Sequence, residues 1–275
     1  MTTVGPGPTA REIAEALAAA RAQGRKLDAP PGPDPEGWDA AYAIQDALIE
    51  ATESPVVGWK IGATSKAAQQ RLGVDGPFIG PLFERWTTDD PAAIATPAQA
   101  LRIVEPEFAF RMAAALPPRP APYSEEEVAA AAGTLHPAFE LIDRRIKDQP
   151  AAGVAGTDGF AANPYWFVAD CGANAAFVLG EGILEWRGLD LAALSVAVTV
   201  DGAPKTRGTG AAAMGSPLAA LTWAANHLSQ RGIGLKPGDV VTTGVVTEIF
   251  ALQPGETADA EFEALGSVSL EMGEY

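Results

Sequence analysis

Three glutamates are the residues best placed by type and spacing to do chemistry. Glu105 and Glu107 lie two apart in Ile103-Val104-Glu105-Pro106-Glu107-Phe108-Ala109-Phe110, and Glu140 interrupts the apolar run Phe139-Glu140-Leu141-Ile142. In an extended chain Glu105 and Glu107 share one face while Val104 and Phe108 turn to the core. Like charges on one strand face repel unless something neutralises them. Glu140 between Phe139 and Leu141 is expensive to bury alone. Three carboxylates with no cysteine or histidine partner form the ligand set of a hard divalent cation, magnesium or manganese rather than zinc. A plainer alternative stays open: Glu105 and Glu107 line a solvated face, and Glu140 pairs with Arg144 or Arg145. Pro106 forfeits a ladder donor, which suits an edge strand or a bulge.

Lys60 is the second candidate, in Val57-Gly58-Trp59-Lys60-Ile61-Gly62. With Trp59 and Ile61 facing the core, Lys60 shares its face with Gly58 and Gly62, which leaves room for a ligand. A partly desolvated lysine can hold a carboxylate or relay a proton. The alternative is a strand lysine that reaches solvent. Other reactive types read as structural. Cys171 has no basic helper nearby, His136 precedes a proline, and His227 falls in a strong helix. Gly208-Thr209-Gly210 lacks the rest of a phosphate-loop pattern.

The elements that must position these groups are short. Thr9 and Glu12 have capping-box spacing before a helix carrying Ile13, Ala14 and Leu17. A proline-rich connector over 29–35 leads to a second helix over 38–51. These two helices form a small subdomain over 1–54, and the main domain covers 55–275. There the pattern changes to strands punctuated by Gly and Pro: 56–62, 103–110, 139–142, 165–168, 177–179 and 194–200. A short helix capped by Ser65 ends at Gly73, and Ser124 with Glu127 opens another. Asp201-Gly202 is a hairpin signal. Ser216-Pro217 opens the best helix, running to about residue 230. Strands follow at 239–243, 249–252, 258–262 and 268–272. Many short strands with few helices give an α+β protein built on an antiparallel or mixed β roll.

Composition narrows the function classes. The chain has 275 residues, 47% of them apolar and 20% charged, enough for a sizeable core. Its 19 Lys and Arg against 35 Asp and Glu give a net charge of −16, which repels nucleic acid and anionic lipid. An anionic substrate therefore needs a local cation. No run reaches the roughly 18 apolar residues of a membrane helix, and the opening segment lacks the pattern of a secretory signal. One cysteine excludes an internal disulfide and a cysteine-based zinc site. A cytoplasmic location is expected.

An ordered set of motifs carries a family resemblance. It comprises Gly58-Trp59-Lys60-Ile61-Gly62-Ala63-Thr64-Ser65, Leu72-Gly73-Val74, Val104-Glu105-Pro106-Glu107, Phe139-Glu140-Leu141-Ile142-Asp143 and Phe177-Val178-Leu179-Gly180. Gly232-Ile233-Gly234-Leu235-Lys236-Pro237-Gly238-Asp239 and Leu265-Gly266-Ser267-Val268 complete it. Together, from about residue 38 onward, they resemble the 2-keto-4-pentenoate hydratase and 4-oxalocrotonate decarboxylase group of the fumarylacetoacetate hydrolase superfamily. The resemblance implies a mixed β-roll fold, Mg²⁺ or Mn²⁺ on Glu105, Glu107 and Glu140, and an active-site role for Lys60. It also offers Thr64, Ser65, Phe78, Asn174 and Thr247 as substrate contacts.

The implied reaction is hydration of a 2-hydroxyalka-2,4-dienoate to a 4-hydroxy-2-oxo acid in aromatic meta-cleavage catabolism. The cation would neutralise the developing enolate, and Lys60 would hold the substrate carboxylate and carry protons. The same site serves a second reading, decarboxylation of a 2-oxo-3-enedioate. That reaction needs a cation for the distal carboxylate, for which Arg102, Arg111, Arg144 and Arg145 are candidates. Phe78 stands where the hydratases commonly carry an acidic residue, and Asp170-Cys171-Gly172-Ala173-Asn174 lacks hydroxyls the family often has there. A third reading is a catalytically inert partner subunit, which the presence of all three glutamates disfavours. Acylpyruvate hydrolysis ranks lower, because neither histidine is placed for the lid pair that reaction uses. By family analogy the chain is expected to form a homo-oligomer, with a complex with a paired pathway enzyme as a further expectation.

Overall fold

The computed structural model describes residues 8–147 and 163–275. Helix α1 (Ala10–Ala22) opens with the capping box of Thr9 and Glu12, and α2 (Trp38–Ala51) follows the proline connector. Next come β1 (Val56–Gly62), α3 (Lys66–Leu72), β2 (Phe78–Phe83), β3 (Thr87–Asp89), β4 (Ala92–Thr96) and β5 (Ile103–Met112). Helix α4 (Glu125–Ala131) runs directly into β6 (Ala132–Ile142), and α5 (Tyr165–Ala169) precedes β7 (Asn174–Leu179). The hairpin of β8 (Ser195–Val200) and β9 (Ala203–Thr209) is followed by α6 (Pro217–Gln230). The chain closes with β10 (Val240–Val245), β11 (Phe250–Ala251), β12 (Thr257–Phe262) and β13 (Gly266–Glu274).

The larger sheet has the order β2-β1-β10-β5-β6-β7-β3, with β11 also paired to β5. The smaller sheet has the order β4-β13-β12-β8-β9. Both sheets contribute to one apolar core, where Phe108 meets Phe262 edge-on at 5.0 Å. Helices α1 and α2 pack on a second cluster through Ile13, Leu17, Ile44 and Leu48, against Phe83 and Trp166. This is the mixed β-roll of the sequence reading, with helices gathered at the N-terminus.

Local signals account for many boundaries. Ser65 caps α3 by accepting from the Ala68 N–H at 3.1 Å, and Gly73 stops it in the left-handed region at φ 73°. Asp201 and Gly202 both have positive φ, 49° and 76°, as the tight turn between β8 and β9 requires.

One expectation changes, and one pair of alternatives is decided. Residues 165–168 are helical, forming α5 rather than a strand. The Asn163 side chain accepts from the Tyr165 N–H at 3.0 Å, and Trp166, Phe167, Val168 and Ala169 are all buried. A short run buried on every side carries no period that separates strand from helix. Strand β5 is central rather than an edge, flanked by β10 and β6. Pro106 sits beside a register shift between Thr242 and Val245 of β10, so its missing N–H falls where pairing is already irregular. Strands β2, β3 and β4 lie outside the sequence reading, which gave no element between 73 and 103. Pro81 and Gly80 interrupt the strand signal there.

Candidate metal centre and the cavity above it

The pairing of β5 with β6 sets Glu105 directly opposite Glu140, and Glu107 follows two residues along the same face. One carboxylate oxygen from each of Glu105, Glu107 and Glu140 lies within 4.8 Å of the others. Glu107 and Glu140 are fully buried, while Glu105 is partly exposed at the rim. The solvated-face alternative therefore fails for Glu107. The Glu140–arginine alternative fails as well. Arg145 pairs with Asp170 at 2.7 Å, and the Arg144 guanidinium lies 4.7 Å from the centre of the Phe167 ring.

Each buried carboxylate is anchored on one oxygen. Glu107 Oε2 accepts from the Gly244 N–H at 2.7 Å and from the Thr242 hydroxyl, while its Oε1 has no hydrogen-bond partner. Glu140 Oε1 accepts from Asn174 Nδ2 at 2.9 Å, and its Oε2 faces Lys60 Nζ at 3.0 Å. A buried carboxylate oxygen without a donor is costly unless a cation completes it. Converging hard oxygen donors, one of them orphaned, fit a divalent cation of the magnesium type.

Lys60 is buried, and its ammonium also donates to the Gly172 carbonyl at 3.2 Å. Burial opposes its charge, but Glu140, Glu105 and Glu107 outweigh that and raise its pKa. Lys60 is thus the built-in counter-ion of the trio. Burial raises the Glu105 carboxyl to about 7, with Lys60 pulling the other way and Glu140 reinforcing the rise. Burial, then Glu140 and Glu105, push Glu107 up in the same direction. Glu105 therefore holds its proton up to about pH 7, and Glu107 is shifted in the same direction, unless a stronger cation replaces the proton.

Above the trio opens a cavity with about 580 Å³ of empty space, counting the part open to solvent. Lys60, Glu105, Thr64 and Arg71 supply its charged and hydroxyl side chains, against walls that include Phe78, Ile103, Ile142 and Val245. The glycines beside Lys60 leave less room than expected. A Cβ on Gly62 would lie 2.3 Å from the Phe78 ring, and one on Gly58 would lie 1.9 Å from the Val240 carbonyl oxygen. Gly58 admits close packing of Val240, while Gly62 packs on Phe78 and still lines the cavity. The ligand space lies on the Glu105 side.

The remaining sequence candidates separate into groups. Thr64 and Phe78 line the cavity, and Phe78 sits against the lysine, its ring centre 5.9 Å from Nζ. Ser65 serves as the α3 cap. Asn174 lies behind Glu140 rather than in the cavity, and the Thr247 hydroxyl donates to the Glu248 carbonyl at 2.9 Å. Cys171 is buried, and that burial pushes its thiol up to about 12, leaving it inert. His136 bonds the Gly180 carbonyl at 2.8 Å, and His227 meets the Tyr42 hydroxyl at 3.0 Å.

Sequence reasoning missed contributors at three places. Thr242 and Gly244 hold Glu107 from β10. Arg21 of α1 reaches across the fold, donating to Asn174 Oδ1 at 3.1 Å and to the Asn174 carbonyl at 2.7 Å. Arg145 donates to that same carbonyl at 2.9 Å. Arg71 is the third; with Ala68 and Leu72 it has the i, i+3, i+4 spacing of one helix face, a signal present in the sequence. Of the arginines expected to meet a distal carboxylate, Arg102 pairs with Glu274 at 2.5 Å and Arg111 reaches the Gly238 carbonyl at 3.4 Å.

Comparison with known proteins agrees with this geometry. The family model for the fumarylacetoacetate (FAA) hydrolase C-terminal region matches residues 147–271. The chain is 34% identical over 261 residues to a 2-keto-4-pentenoate hydratase of Burkholderia vietnamiensis, covering 93% of this chain and 94% of the relative. It is 33% identical over 236 residues to a hydratase of the same name from Paraburkholderia xenovorans, covering 85% and 83%. A 4-oxalocrotonate decarboxylase from Pseudomonas putida G7, solved with magnesium and adipate, superposes with a TM-score of 0.80 at 25% identity over 96% of this chain and 97% of that one. With such identity across nearly its whole length, and this fold, the chain belongs to the 2-keto-4-pentenoate hydratase and 4-oxalocrotonate decarboxylase group of the fumarylacetoacetate hydrolase superfamily.

Proposed function

We propose that this protein is a metal-dependent lyase that adds water to 2-hydroxyalka-2,4-dienoates, giving 4-hydroxy-2-oxo acids. The observation that carries the reading is the Glu105, Glu107 and Glu140 trio beside Lys60, with Lys60 and Glu105 lining an apolar-walled cavity. Glu105, Glu107 and Glu140 would hold Mg²⁺ or Mn²⁺, which when bound supplies Lewis-acid stabilisation of an enolate oxygen. Lys60, kept cationic by its carboxylate neighbours, attracts the substrate carboxylate and donates rather than removes a proton. The Thr64 hydroxyl supplies the cavity's neutral hydrogen-bonding side chain, suited to orienting water near the diene. Phe78 and Ile142 line the hydrocarbon part and limit stray solvent.

Decarboxylation of a 2-oxo-3-enedioate is the second reading, and Phe78 favours it. The ring packs against Lys60 where an acidic proton carrier would otherwise stand. Residues 1–54 are read as a helical cap, and the working form as a cytoplasmic homo-oligomer. Among the described residues, no helix is long and apolar enough to cross a membrane.

The test is ultraviolet decay of freshly generated 2-hydroxypenta-2,4-dienoate with Mg²⁺ and again with chelator. Fast, chelator-sensitive loss yielding 4-hydroxy-2-oxopentanoate supports hydration. If the dienol persists while 2-oxohex-3-enedioate releases CO₂, the decarboxylase reading replaces it. Inertness toward both with metal present overturns both.

A further inference from the structure

The charges around the cavity do not close on the trio alone. Three glutamates carry −3; Lys60 and one divalent cation together return +3. Arg71 is left over, an exposed cation in the last turn of α3 that lines the same cavity as Glu105. Among the described residues, no hydrogen bond or ion pair engages its guanidinium, in a chain whose net charge is −16. A cation that only complemented the α3 dipole would have no need to face a cavity.

Burial assigns the two ends of a ligand: Lys60 is buried at one end of the lining and Arg71 is exposed at the other. The reacting carboxylate belongs at the floor, beside Lys60 and the trio. The walls between floor and mouth are mostly hydrocarbon, including Leu72, Ile103 and Ile249. A monocarboxylic dienoate would set an alkyl terminus against Arg71 and gain nothing from it. A second carboxylate would meet a planar donor suited to paired hydrogen bonds. We infer that Arg71 is a specificity-determining residue that receives the distal carboxylate, so the preferred substrates are dicarboxylic 2-oxo- or 2-hydroxy-enoates. This inference rests on the proposed reaction site and names its substrate class.

The test is equilibrium binding by calorimetry, with Mg²⁺ present, of adipate and of hexanoate to the wild type and to Arg71→Met. The wild type should bind adipate at least about tenfold more tightly than hexanoate. Arg71→Met should erase that preference while leaving hexanoate affinity unchanged. Equal affinity for the two acids in the wild type, or an equal loss of both in the variant, overturns the assignment. So does a variant that keeps the preference and only melts at lower temperature, which would mean Arg71 serves helix α3. Hexanoate binding that needs Mg²⁺ while adipate binds no better sinks this inference and leaves the metal-site reading standing. Absence of metal-dependent binding by either acid overturns both.

Discussion

Removing Lys60 from the carboxylate cage should weaken the metal-free fold and tighten metal binding at once. The Lys60–Glu140 pair is 3.0 Å long, with side chains 3% and 0% exposed. At an effective dielectric of about 20, a pair at that distance gains roughly 5–6 kcal/mol. Deleting one partner of a buried pair costs about 3–5 kcal/mol. Lys60→Met also leaves three carboxylates within 4.8 Å of one another with no cation beside them. In a domain of this size the metal-free variant should melt roughly 6–20 °C below the wild type at pH 8. The gap should narrow at pH 6, where protonation of Glu105, raised to about 7, relieves part of the repulsion. Mg²⁺ fills the role the lysine vacated, so the variant should bind it about tenfold more tightly, a gain of about 1.4 kcal/mol. Turnover should still fall by at least ~10²-fold, because a positioned proton donor is gone. Thermal unfolding with and without Mg²⁺, together with calorimetric titration, reads all of this. A variant within 1 °C of the wild type at pH 8, with Mg²⁺ bound no more tightly, would refute the counter-ion argument.

Other consequences are equally open to measurement. Glu107→Gln and Glu140→Gln should each abolish Mg²⁺ binding and turnover while circular dichroism stays native; full activity in metal-stripped Glu140→Gln would sink the metal proposal. Asn174→Ala and Arg21→Met should each weaken Mg²⁺ binding by about 10–100-fold, as loss of outer supports of a ligand does. Unchanged metal affinity in both would make Arg21 a purely packing residue. The raised carboxyls also set a pH dependence. Between the ordinary value of 4.5 and about 7 the metal-free fold holds a proton on Glu105 that the unfolded chain releases. This stabilising contribution is therefore full below pH 4.5 and lost as the pH rises through 7. Mg²⁺ must displace that proton, so its affinity should climb up to that pH and level off above it, with proton release measurable in weakly buffered titrations. A pH-independent affinity between 5.5 and 8 would contradict it.

What was legible beforehand was local. Glu105 and Glu107 share a face because successive strand residues alternate, a property of the backbone that needs no partner strand. The Thr9, Ser65, Ser124 and Ser216 caps and the Asp201-Gly202 turn are likewise settled within a few residues. Residues 165–168 were misread because burial on every side erases period. Residue types already grouped Glu140 with the pair and singled out Lys60; the ordered motifs turned those open alternatives into expected site roles.

Tertiary structure decided everything that depends on register and on long-range approach. One step of slip between β5 and β6 would turn Glu140 to the other face and dissolve the trio. The support of Glu140 by Asn174 and Arg21 joins positions 153 residues apart, from a helix whose local pattern describes only its own amphipathic face. The spacing of Ala68, Arg71 and Leu72 puts Arg71 on one helix face, but that this face meets the cavity was decided by packing. Arg102, Arg144 and Arg145 are engaged elsewhere, and Arg71 is presented only because α3 packs with that side toward the mouth. Sequence types and short spacings determine which chemistry the chain can do. Packing of distant segments determines which side chains meet, because the free energy of burial rewards contacts that no local rule encodes.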